Sequence, residues 1–199
     1  MDGLRSSAAD AFDFTAHMRS VCVDIAARLS EFRHVDMARV AIRWCQARHR
    51  WRHGVQATLT PMRFAGGASV AVRRGRRWSV RPLFDADGRE MLYLLSFYLP
   101  RFLNQPFEEK LATICHELWH IGPAFDGDLR RHEHGRYYAH GPSEAEYHGQ
   151  MRVLARAWLD RAPPAALCDP LRGDFRALLR RHGRVVGLRL PTPKLVPAP

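Results

Sequence analysis

The chain has 199 residues, enough for one well-buried core. Its apolar fraction of 46% and charged fraction of 26% are those of a globular protein, which sets aside disordered and fibrous classes. The net charge of +11, from 31 Lys and Arg against 20 Asp and Glu, describes a surface that attracts polyanions, so nucleic acid or an acidic protein is a partner class to consider.

The opening segment, Met-Asp-Gly-Leu-Arg-Ser-Ser, lacks the basic region and apolar core of a signal peptide, and a cytoplasmic location is expected. From Thr15 to Glu31 apolar residues recur at Met18, Cys22, Ile25 and Leu29, the spacing of an amphipathic helix, with Thr15 a candidate N-cap. Val40, Ile42 and Trp44 alternate with Ala41, Arg43 and Cys45, and Thr58 to Phe64 is β-rich, so two strands are expected around a basic loop from Arg48 to Gly54. Gly66 to Arg77 has the features of a hairpin connection before a short strand from Trp78 to Phe84, and Asp85 to Gly88 reads as a turn.

Met91 to Leu99 is an almost continuous apolar run. It falls far short of the roughly 20 residues of a membrane-spanning helix, and it suits a strand buried on both faces or a short helix. Pro106, then Glu108 and Glu109, then the stripe Leu111, Ile114, Cys115 and Leu118 define a helix that Gly122 and Pro123 stop. Residues 124–142 are polar and aperiodic and read as an ordered loop over a site. Ser143 and Glu146 form a capping box for a second amphipathic helix to about Asp160. A basic helix from Leu171 to His182, a short strand from Val185 to Leu190 and an extended proline-rich tail follow. The expected organisation is one folded domain over residues 1–160 and a basic, Pro-rich extension over 161–199 that packs on it or trails from it. Cys22, Cys45, Cys115 and Cys168 are widely separated, which fits reduced thiols better than disulfides or a zinc ribbon.

The helix from Pro106 carries His116-Glu117-Leu118-Trp119-His120. Histidines four apart project from one helical face and can share a metal ion, with Glu117 close enough to take a proton from a metal-bound water. Imidazole donors favour zinc, which lowers the pKa of its water to about 7 and so supplies a nucleophile for a carbonyl. The alternative for His116 and His120 is a pair of hydrogen-bonded core histidines. Trp119, between them, is expected to face away into the core.

A catalytic zinc needs a third protein ligand, and the downstream sequence offers Asp126, Asp128, His132, His134, His140, Glu144 and His148. His140, at a loop end ahead of the next helix, is favoured. Asp126 follows His116 by ten residues, a spacing used by a ligand turn in metzincins, but the glycine of such a turn is displaced to Gly122. Tyr137 and Tyr138 are candidate oxyanion donors or packing residues. The Asp126 to Arg131 segment reads as a turn locked by salt bridges.

The runs Tyr98-Leu99-Pro100-Arg101-Phe102, Glu109-Lys110-Leu111, His116 to Ile121 and Phe125 to Arg131 resemble a family of bacterial metallopeptidases distantly similar to SprT-like zincins. The resemblance spans residues 35 to 160. It implies an α+β zincin arrangement: an N-terminal helix and a small, mainly antiparallel or mixed sheet backing the active-site helix, with a further helix towards the C-terminus. His116 and His120 then match metal ligands and Glu117 the catalytic base, in a zinc metallopeptidase acting on protein or peptide. SprT-like proteins include DNA-associated proteases. Beside this reading stands a nucleic-acid or partner-binding module with a structural or vestigial metal, using Arg73 to Arg81 and Arg48 to Arg52. A third is a zinc hydrolase of small amides. Glu117 favours catalysis, since a purely structural site has no use for a carboxylate beside its ligands.

Overall fold

A computed structural model describes residues 11–47, 54–131 and 144–198, with the side chains of 144 and 145 excepted. The chain is α+β. Strand β1 (Phe12–Asp13) runs into helix α1 (Phe14–Arg28), and Asp13, not Thr15, is its N-cap, accepting the Ala16 N–H at 2.9 Å. Thr15 is committed elsewhere: its hydroxyl accepts the N–H of Leu188 at 2.8 Å.

Strands β2 (Val40–Gln46), β3 (Ala57–Pro61) and β6 (Tyr93–Leu99) make a mixed three-stranded sheet in the order β2-β6-β3. β6 is central, parallel to β2 and antiparallel to β3. Its apolar run is therefore a strand rather than a helix, and both faces are buried because both are covered. Tyr93, Leu95 and Phe97 face the main core with Val40 and Ile42, where Phe97 packs between Phe14 and Phe102. On the opposite face Leu94 joins Ala41, Met62 and Met91. There Ser96 accepts from the buried Arg43 guanidinium, which also donates to Leu190 O and Thr192 Oγ1.

Strands β4 (Val70–Arg73) and β5 (Arg76–Val80) form the basic hairpin. Arg74 (φ 51°) and Gly75 (φ 72°) at its tip supply the left-handed backbone of a tight two-residue turn. Asp85 closes the next turn by accepting the N–H groups of Asp87 and Arg89.

Helix α2 (Phe107–Trp119) starts after Pro106 and buries Leu111, Ile114, Cys115 and Leu118. Helix α3 (Glu144–Leu159) packs along it and buries Tyr147, Met151, Leu154 and Trp158. The basic helix expected from Leu171 is two: α4 (Ala165–Arg172) and α5 (Phe175–His182). Gly173 breaks them, and Asp174 caps α5 by accepting the Ala177 N–H. Lys110 of α2, 1% exposed, holds this junction by donating to the carbonyls of Leu171 and Gly173 at 2.7 and 2.6 Å.

The last residues strap the molecule together. β7 (Val185–Val186) pairs with β1, Leu188 O accepts Trp44 N–H at the outer edge of β2, and β8 (Leu195–Pro197) pairs with β5. The expected strand to Leu190 thus shortens to Val186, and part of the proline-rich tail is an edge strand, a position where proline is tolerated. The four cysteines are free, three of them buried. Among the described residues no helix is long and apolar enough to cross a membrane.

Candidate active site

The strap covers the β2 edge of the main sheet, whereas β3 forms the edge that lies against α2. Its register fixes which backbone groups face outward. Gln56 O accepts Tyr98 N–H and Leu92 O accepts Met62 N–H, so even-numbered residues pair with β6, while Ala57, Leu59 and Pro61 turn theirs away from it. Leu59 N–H donates to the Glu117 carboxylate.

Glu117 is 6% exposed. Burial, only partly offset by the Leu59 N–H, raises its pKa to about 8 from an ordinary 4.5. The helix that buries Leu118 and Cys115 thus carries its carboxyl group against the open edge of the sheet. His116 and His120 stand one turn apart, with Nε2 atoms facing each other at 2.9 Å and ring planes at 79°. At that separation one ring donates to the other, or a shared cation draws both. Tetrahedral zinc places two imidazole nitrogens roughly 3.3 Å apart, so small rotations of the existing side chains suffice and the donor set fits the ion.

Helix α3 forms the opposite wall. The Tyr147 ring meets His116 edge-on at 4.9 Å and stacks over His120 at 6.3 Å. His148, exposed, stacks beside His116 with centroids 6.1 Å apart and planes at 29°. A cavity of about 190 Å³ opens between the walls, lined by Gln56 and Ala57 from the strand, Thr113, His116 and Glu117 from α2, and His148 from α3.

Past His120 the chain folds back on itself. Arg130 N–H donates to His120 O and Ile121 bridges Leu129. Asp128, 4% exposed, is the centre of this return: it pairs with Arg131 (2.6 and 3.0 Å) and accepts the N–H groups of Gly66 and Leu129. Burial works to raise its pKa, but these donors outweigh burial and the net shift is downward. Asp126 accepts the Asp128 N–H. Tyr93 OH ties the return to β6 through Asp128 O and Gly127 N–H. Both aspartates are thereby bound into the turn instead of being presented to the histidines. Trp119 is half-buried, edge-on to Phe32 and 4.2 Å beneath the Arg130 guanidinium, rather than inside the core.

His116, Glu117 and His120 are therefore brought together with a cavity in front of them. His132, His134, Tyr137, Tyr138 and His140 lie outside the described residues, as do Ser143 and the arginines at 48, 50 and 52. Among the described residues no three His, Cys, Asp or Glu side chains stand at metal-ligand spacing. The contribution of Tyr147 was missed in the sequence, although it falls at a core position of α3 directly before His148. No known protein family, curated protein or solved structure matches the chain.

Proposed function

We propose that the protein is a zincin-type zinc metallopeptidase, with His116 and His120 as ligands and Glu117 as general base. The observation that carries this reading is the buried carboxyl of Glu117, set beside two converging imidazoles at the mouth of a cavity. A pair of structural histidines gives no reason to bury a carboxyl group next to them at a cost in solvation.

Zinc held there would supply Lewis acidity and a water acidic enough to lose its proton near neutral pH. Glu117 would be the residue placed to accept a proton there. The burial of the carboxyl and the Leu59 N–H fix its orientation. The outward backbone groups of Ala57 and the outward carbonyls of Leu59 and Pro61 suit a substrate in extended conformation, because an added strand satisfies groups that β6 leaves open, while the Leu59 N–H is kept by Glu117. That favours a peptide over a small amide. The cavity takes the side chain next to the scissile bond, with Gln56 and Thr113 as polar contacts.

Hydrolysis of fluorogenic peptide pools tests the proposal. Activity should vanish on chelation, return with zinc and be lost in Glu117→Gln. Chelator-insensitive hydrolysis, or none by zinc-loaded wild type, would sink it.

One observation favours nucleic-acid binding as a second reading. Arg73, Arg74, Arg76 and Arg77 crowd the exposed hairpin, and none pairs with a carboxylate among the described residues. Duplex DNA affinity that falls steeply with salt, and less steeply after these four are changed to Gln, would support it; salt-independent binding would exclude it.

A further inference from the structure

Two imidazoles leave a catalytic zinc one protein ligand short. We propose that His148 of α3 is the third ligand, an assignment that rests on the metal reading above.

The geometry points to it in three ways. His148 is the one further imidazole among the described residues that stands beside His116, at 6.1 Å between centroids, and it lines the same cavity as His116 and Glu117. Three imidazoles around one tetrahedral ion have centroids roughly 5 Å apart, and His148 stands 6.1 Å from His116, about 1 Å farther. A rotamer change at an exposed side chain covers that distance. The backbone beneath it is already fixed, because Tyr147 and Met151 on either side are buried against α2.

The two described aspartates are held in the turn that follows α2. The Asp128 carboxylate holds Arg131 and two N–H groups, and Asp126 holds the Asp128 N–H. Neither can turn to the histidines without undoing the return that follows α2. Tyr147 packs on both His116 and His120, so its ring limits how far they can rotate. Zinc loading on this account turns the His148 ring inward and leaves the helices where they are.

The test is zinc affinity, measured on chelator-stripped protein by competition with a chromophoric chelator, together with the visible spectrum of the cobalt-substituted form. His148→Ala should bind zinc more than about 100-fold more weakly than wild type, beyond the roughly 10–100-fold expected for loss of a supporting residue. It should also change the cobalt spectrum, and His148→Asp should recover part of the affinity. Because the residue is exposed, the circular dichroism and thermal midpoint of the stripped variant should match wild type. Wild-type zinc affinity in His148→Ala, with the loss appearing instead in His140→Ala or Glu144→Ala, overturns the assignment and leaves the metallopeptidase reading intact. A wild-type protein that takes up no zinc overturns both.

Discussion

His17 should make the protein acid-labile in a range where its carboxylates are still ionised. The side chain sits on α1 against Phe12, whose ring also contacts His182, with centroids 5.2 and 5.3 Å apart. One ring nitrogen is hydrogen-bonded to the Leu167 backbone; the other, Nε2, is buried with no partner. Protonation would place a charged N–H where nothing accepts it. Burial accordingly lowers the pKa from 6.5 to about 4, against a smaller upward pull from the Leu167 bond. The folded-state pKa lies below the unfolded one, so the unfolded chain binds the proton first. Stability is unaffected above pH 6.5 and falls by about 1.4 kcal/mol per pH unit from there to pH 4, at most about 3.5 kcal/mol in all. Urea unfolding at pH 7, 5.5 and 4 measures it. His17→Gln, which can still donate to Leu167 but cannot ionise, should lose less stability over that range by this amount. Parallel pH curves for the two proteins would refute the reasoning.

Lys110→Met leaves the carbonyls of Leu171 and Gly173 without their donor, at about 1–3 kcal/mol each, and recovers part of that by removing a buried ammonium. A net loss of about 2 kcal/mol in urea unfolding is expected. Asp128→Ala strips Arg131, Gly66 and Leu129 of a shared acceptor and should destabilise by about 3 kcal/mol, read as a lower thermal midpoint. Glu117→Gln should lower kcat by about 10²- to 10⁴-fold with zinc retained, as measured by peptide hydrolysis and metal content on one sample.

The parts legible in the sequence were those decided by local periodicity. The apolar stripe around Ile114 and Leu118 set the helix that carries the histidines, and the unbroken run to Leu99 set a strand covered on both faces. What escaped depends on partners far along the chain. Thr15 has the chemistry of an N-cap, but its hydroxyl is taken by Leu188, 173 residues away, and Asp13 caps instead. The tail reads as a proline-rich extension that packs on the domain or trails from it, and the sequence does not show that it completes the edges of β1 and β5. The Asp126 to Arg131 segment reads as a turn locked by salt bridges and is one, with Asp128 paired to Arg131; its fold-back onto Gly66 and Tyr93 is what the sequence does not show. His148 is one of several downstream candidates in the sequence, and nothing local singles it out. Its position follows from the packing of α3 on α2 through Tyr147 and Met151.

The most direct test of a zinc-binding catalytic site is metal content by elemental analysis of untagged wild type, His116→Ala and Glu117→Gln. About one zinc per chain in wild type and Glu117→Gln, and none in His116→Ala, is the result expected of two ligating imidazoles beside a non-ligating base. A folded wild type that contains no zinc and takes none up on addition would contradict the account and leave His116 and His120 a hydrogen-bonded pair.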